Sequence, residues 1–223
     1  MSFLRQLDIL NPAMIVYPIT IIGVGGIGGP VAWILAKMGC REITLYDPDL
    51  VEEHNLPNQF FRLGDKGRLK VEAVRENILQ FAETKITAIP EFFQGQRDLE
   101  GIVISGVDSM KSRQDIWAKV RYNLNVPLYL DGRMGGEIVQ VFTVRPCQIE
   151  DIETYEKNLF SDEEASNLPC TAQSIIYSVM VLGGLIASQL KKWLKGESYR
   201  TKITFDLKTM TLLLEGKEVI PMK

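Results

Sequence analysis

The spacing of apolar and polar residues along this chain switches repeatedly between that of a buried strand and that of a helix. Pro18 to Val24 (PITIIGV) is a continuous β-branched run that stops at glycines, the pattern of a strand covered on both faces. Pro30 to Met38 reads as a helix with Gly39 as its C-terminal stop. Glu42 to Asp47 is a second strand, and Lys70 to Phe81 repeats its apolar residues at helical spacing. Ile86 to Pro90 is a short strand, Ile102 to Gly106 another buried one, and Met110 to Tyr122 the helix after it. Pro127 to Leu130 and Ile138 to Val144 are strands on either side of a glycine-rich turn, DGRMGGE. Residues 148–170 are acidic and read as irregular. Ala172 to Leu194 is one long helix, apolar on too many sides to lie at the surface. Arg200 to Asp206 and Thr211 to Leu214 form a closing antiparallel hairpin. The predicted fold class is α/β: a doubly wound Rossmann-like sheet, parallel in its N-terminal part, extended by antiparallel strands, with helices on both faces. With no internal repeat and no linker, residues 1–223 read as a single domain.

Composition narrows the classes. A chain of 223 residues can bury one substantial core, and its 46% apolar and 24% charged content is that of an ordinary globular protein. A net charge of −3 offers no electrostatic footprint for nucleic acid or an anionic membrane. The first residues, MSFLRQLDIL, lack the long apolar core of a signal peptide. The apolar run Ile175 to Leu190 is shorter than a membrane span and contains Ser178, Ser188 and Gln189, so a buried helix is expected. Cys40, Cys147 and Cys170 are odd in number and form no C-x-x-C pair. Zinc and a disulfide framework are therefore not expected, and a reducing cytoplasm fits best.

The chemistry concentrates between residues 23 and 70. Gly23, Gly25 and Gly28 give G-x-G-x-x-G between a strand and a helix, with Gly26 inside the turn. Such glycines let the backbone approach a phosphate at a helix N-terminus, although close helix–strand packing alone also explains them. Asp47 stands at the end of the second strand, where an acid hydrogen-bonds a ribose hydroxyl; with Pro48 following, it also suits a turn. Asp49, Asn55, Asn58 and Gln59 follow on a long polar loop, residues 48–66, a type of segment that is usually functional, and Lys70 opens the helix after it. A hydride-transfer site has no need of that polar and basic train, whereas a site that holds and splits a triphosphate does.

From Asp47 to Gln59 the sequence DPDLVEEHNLPNQ resembles D-x-D-x-V-x-x-S-N-L-x-R-Q, the signature of the ubiquitin-activating superfamily and of its compact MoeB/ThiF/HesA branch. Gly67 to Ala73 resembles that family's G-x-x-K-x-E-A. Val107-Asp108-Ser109 with Arg113 resembles its T-D-N…R, and Asp131 to Glu137 its strand and glycine turn. The likeness runs from about residue 18 to 145 and more loosely through the long helix. It implies an adenylyltransferase that uses ATP and Mg2+ to activate the C-terminal carboxylate of a ubiquitin-like, β-grasp carrier with a flexible tail. It also implies a nucleotide-binding half at about 18–130, a carrier-binding and dimerisation half at about 131–223, and a homodimer.

Carried over by position, the ATP-binding residues are Gly23, Gly25, Gly26, Gly28, Asp47, Asp49, Asn55, Asn58, Gln59, Lys70, Asp108 and Ser109. Lys70 neutralises phosphate charge and Asp108 holds magnesium. Arg5 resembles the family's N-terminal arginine that enters the partner subunit's site, but a surface arginine is an equal alternative. Cys170, in Pro-Cys-Thr-Ala before the long helix, is a candidate nucleophile, its thiolate favoured by a helix N-terminus; a helix-entry residue without chemistry is the other option. Three departures stand out. Asn58 occupies a position where the family has arginine, with Arg62 four residues on as a possible substitute. His54 replaces serine, and the zinc-binding C-x-x-C pairs are missing. Two other readings stay open: an NAD-dependent oxidoreductase or NAD-sensing protein, and a non-catalytic scaffold for a β-grasp partner.

Overall fold

The computed structural model describes residues 1–160 and 174–220. Eight strands form one sheet: β1 (Ile19–Ile22), β2 (Glu42–Tyr46), β3 (Lys85–Ile89), β4 (Ile102–Ser105), β5 (Leu128–Gly135), β6 (Ile138–Val144), β7 (Tyr199–Asp206) and β8 (Thr211–Val219), in the order β3-β2-β1-β4-β5-β6-β7-β8. The pairs from β3 through β5 are parallel, and those from β5 to β8 are antiparallel. Among the described residues the α-helices are α1 (Gly28–Lys37), α2 (Lys70–Leu79), α3 (Met110–Val120), α4 (Ile149–Glu156) and α5 (Ile176–Leu194).

Strand alternation divides the core between two faces. Ile19, Ile21, Ile102, Ile104, Leu128 and Leu130 point to the side where Leu35 of α1, Val74 of α2 and Leu182 and Ile186 of α5 pack. Ile22, Val103 and Tyr129 point to the other, against Ile116 and Trp117 of α3 and Ile152 and Tyr155 of α4. The central strands β1, β4 and β5 are therefore covered on both sides, which is why they read as near-continuous apolar runs. The α/β expectation holds, including the antiparallel extension. Among the described residues no helix is long and apolar enough to cross a membrane.

Two local expectations are corrected. The segment DGRMGGE is not a turn: β5 runs through it to Gly135, and only Gly136 (φ 59°) and Glu137 make the bend into β6. Asp131 and Arg133 lie inside that strand and are buried because they neutralise each other. The acidic stretch after residue 148 begins with helix α4, whose Ile152 and Tyr155 are buried while Glu150 and Glu153 face solvent. The long helix starts at Ile176; Ala172, where it was expected to start, lies outside the described residues.

Candidate active site

The strand order reverses direction between β1 and β4, and ligands of doubly wound sheets bind at the carboxyl ends of strands flanking such a point. A cleft of about 190 Å³ opens there, lined by Gly23, Gly25, Gly26, Tyr46, Asp47, Asp49, Gln59, Lys70, Phe92, Phe93 and Asp108, among others. Gly23 turns the chain with φ +83°, a conformation that favours glycine. At Gly28 a Cβ would lie 1.9 Å from the Gly23 carbonyl oxygen, so only glycine lets α1 start this close to the turn. Over the turn lies the Gln59 amide, 3.5 Å from where a Gly25 Cβ would stand; its Oε1 is buried without a partner among the described residues.

Asp47 closes the other wall. Its Oδ2 accepts the Val24 N–H at 2.8 Å and its Oδ1 the Asp49 N–H at 2.9 Å, so it stiffens both the glycine turn and the loop after β2. Burial pushes its carboxyl above the usual range, against the two N–H donors and Lys70, which favour the charged form. Lys70, the first residue of α2, is buried up to its ammonium group, which donates to Asp49 Oδ2 at 2.8 Å. Its backbone N–H donates to the Asp49 carbonyl at 2.8 Å. Asp108 is exposed on the opposite lip, and no described residue partners its carboxylate. The lip itself is held by Arg113, whose guanidinium meets the buried Asp131 at 3.1 Å. Burial raises the Asp131 carboxyl, but Arg133 and Arg113 outweigh it and hold it below its ordinary value.

A model described as the ThiF family matches residues 16–219. The chain belongs to the ThiF family. The sulfur carrier protein ThiS adenylyltransferase of Escherichia coli (strain K12) is 28% identical over 187 residues, which are 80% of this chain and 72% of that protein. The tRNA threonylcarbamoyladenosine dehydratase of the same strain is 32% identical over 128 residues, 54% of this chain and 47% of the dehydratase. The chain thus matches about half the length of that relative. Among solved structures, E. coli MccB with ATP superposes with a TM-score of 0.74 at 20% identity, over 99% of this chain and 71% of MccB. At that identity the likeness concerns the fold.

This ThiF-family cleft gathers most of the residues expected from the sequence, but not all. Asn55 does not line it: it is buried, and its Oδ1 accepts the Glu52 N–H at 3.0 Å, pinning the 3-10 turn Glu53–Asn55. Ser109 caps α3, its Oγ accepting the Ser112 N–H at 3.1 Å. Asn58 lies beside the turn, its Nδ2 donating to Ser174 Oγ at 3.3 Å and its Oδ1 buried without a partner among the described residues. Arg62 does not replace the missing arginine. Its guanidinium is tied to Asp65 at 2.9 Å and lies 3.8 Å from Glu76. His54 is exposed, its Nδ1 3.1 Å from Glu52. Arg5 is exposed in the 3-10 turn Leu4–Gln6, next to Gln6, whose amide donates to the Met38 carbonyl at 2.8 Å. That places it at the amino end of the sheet, opposite its own cleft. Cys170 lies outside the described residues. Cys40 is buried, and burial pushes its thiol up to about 11, so it is inert packing. The wall formed by Glu91, Phe92 and Phe93 after β3 went unforeseen, because no spacing motif marks it. A wider hollow of about 680 Å³ opens at the amino end beside Met1 and Cys40, but it holds none of the strand-end polar residues.

Proposed function

We propose that this chain is an ATP-dependent adenylyltransferase that activates a carboxylate, the C-terminal glycine of a ubiquitin-like β-grasp carrier being the substrate class. The products are an acyl-adenylate and pyrophosphate. The observation that carries the reading is the convergence of Lys70, Asp49, Gln59 and Asp108 on the glycine-turn cleft. A dinucleotide site accounts for the glycines and Asp47 and leaves those four without a task. The likeness to the ThiS adenylyltransferase along most of the chain supports the same reading.

The cleft suits a nucleoside triphosphate. The glycine turn and the N-terminus of α1 offer N–H groups to phosphate, and Asp47 stands where a ribose binds. The Asp108 carboxylate on the lip has no partner among the described residues, and Mg2+ is commonly held by one or two carboxylates together with substrate phosphates. A magnesium ion bound there would offset phosphate charge. Lys70 would supply the fixed cation on the opposite wall, and its pairing with Asp49 would keep the ammonium aimed across the turn. The attacking carboxylate is already ionised at neutral pH, so the site has no need of a general base, in line with a chain whose only histidine is exposed.

The carrier-binding and dimerisation half is assigned to about residues 131–223 of the same single domain, the assembly to a homodimer and the compartment to the cytoplasm. Exposed Ile176, Tyr177 and Met180 on α5 are compatible with a subunit contact. Asn58 in place of arginine keeps the scaffold alternative in view. Calorimetry discriminates between the alternatives. ATP with magnesium should bind and NAD should not compete; tight NAD binding with no response to ATP would refute the reading. ATP and carrier binding with no turnover would favour the scaffold.

A further inference from the structure

We propose that Asp131 is a positioning residue of the nucleotide cleft. It fixes the guanidinium of Arg113, and that guanidinium sets the backbone carrying Asp108. The inference rests on the adenylation reading in one respect, the assignment of Asp108 to nucleotide-bound magnesium.

Strand β4 ends at Ser105, opposite Asp131 in the last pair between β4 and β5. Past that pair the chain crosses the lip of the cleft before α3 begins at Met110, and the lip carbonyls have no strand beside them. Arg113 supplies their donors. Its Nη1 donates to the carbonyls of Asp108 and Ser109, each at 3.3 Å, and its Nη2 to that of Val107 and, at 3.4 Å, to that of Gly132. One planar fork thus ties three consecutive carbonyls of the lip to the neighbouring strand. A planar group can do this in only one orientation, so something must hold its Nε. Asp131 does, accepting from Nε at 3.1 Å.

Asp131 is itself immobilised. Its other oxygen accepts from Arg133 Nε at 2.8 Å and from the Tyr155 hydroxyl at 3.0 Å, and that hydroxyl lies 3.2 Å from the Tyr129 hydroxyl. The carboxylate is fully buried, and Arg113 is 5% exposed. A buried ion pair adds little stability over an apolar replacement. What this pair supplies is orientation, passed through the fork to the lip, much as partners behind a metal ligand fix that ligand's aim.

The test is calorimetric titration of ATP, with and without Mg2+, into the full chain carrying Asp131→Asn or Arg113→Lys. Arg113→Lys keeps a cation for Asp131 and loses only the fork, so it remains decisive if Asp131→Asn fails to fold. The gain in ATP affinity brought by magnesium should fall by about 10- to 100-fold in the variants. Magnesium-free ATP affinity, set by the glycine turn and Asp47, should stay within about two-fold. A folded Arg113→Lys chain with the wild-type magnesium gain would overturn the proposal, as would an equal loss of both affinities. A wild-type chain that binds no ATP would overturn the adenylation reading along with it, whereas normal wild-type binding with unaltered variants overturns the positioning role alone.

Discussion

At the scale of single residues, the functional assignment rests on side chains whose backbone positions are over-determined. Lys70 is held through its N–H by the Asp49 carbonyl and through its ammonium by the Asp49 carboxylate. Asp49 is exposed enough to be solvated alone, so Lys70→Ala should leave the fold intact. The same change should slow adenylation by about 100-fold or more, because it removes a cation aimed at developing charge. Steady-state pyrophosphate exchange with a circular dichroism control checks this, and near-normal exchange would remove Lys70 from the machinery. A second residue-scale prediction concerns Asp65, which sits under the polar loop with no exposure. Burial pushes its carboxyl up, but hydrogen bonds from the Arg62 guanidinium, the Asn77 amide and the Arg62 N–H outweigh this and hold it at about 2. In the unfolded chain an aspartate titrates near about 3.9. The folded value is the lower one, so its contribution is fully present above about pH 4 and fades as pH falls through about 2. Asp65→Asn should therefore be less stable at neutral pH and lose less on acidification. Urea unfolding at several pH values measures both slopes, and parallel slopes would contradict the assignment. The polar residues were legible as a group because strand ends collect them. Their separate tasks were not, since Asn55, Ser109 and Arg62 satisfy local backbone or acidic partners that no spacing rule reveals.

At the scale of elements, the turn between β1 and α1 and the helix α5 give opposite predictions for the same substitution. A Cβ at Gly28 meets a backbone oxygen that cannot move without breaking the turn. Gly28→Ala should destabilise the chain by about 3 kcal/mol or more, read from urea unfolding. At Gly184, on the exposed side of α5, nothing lies within 4 Å of the added atom. There alanine should stabilise the unassembled chain by about 0.5–1 kcal/mol, since only the helix entropy of glycine is removed. A comparable loss at both positions would contradict the close-packed turn. The parallel strands and α1 to α3 were legible because each is apolar in a period that only one element type satisfies. The second half of β5 and the whole of α4 were missed for physical reasons. The glycines of DGRMGG mimic a turn, while the burial of Asp131 inside the strand depends on Arg113, 18 residues away in sequence, as well as on the nearby Arg133. In α4, Ile152 and Tyr155 carried the helical spacing, but the surrounding acids hid it.

At the scale of the whole molecule, the sheet separates two ends with different roles. The cleft lies at the carboxyl end of the parallel strands, and the N-terminal segment with Arg5 packs at the amino end against α1. An Arg5 that serves catalysis must therefore serve another subunit's cleft. Mixing inactive Arg5→Ala and Lys70→Ala chains should restore activity in hybrid dimers that carry one complete site. No recovery despite proven subunit exchange would make Arg5 a surface residue. The overall architecture was legible from alternating strands and helices, whereas which end faces which in an assembly is not written in one chain's periodicity. The central claim, that this cleft activates a carboxylate at the α-phosphate of ATP, is tested most directly by exchange of labelled pyrophosphate into ATP. The account predicts exchange that requires both magnesium and a β-grasp carrier with a free C-terminal carboxylate, and that disappears when that carboxylate is amidated. Exchange indifferent to the carboxylate, or ATP binding with no exchange for any carboxylate supplied, would contradict it.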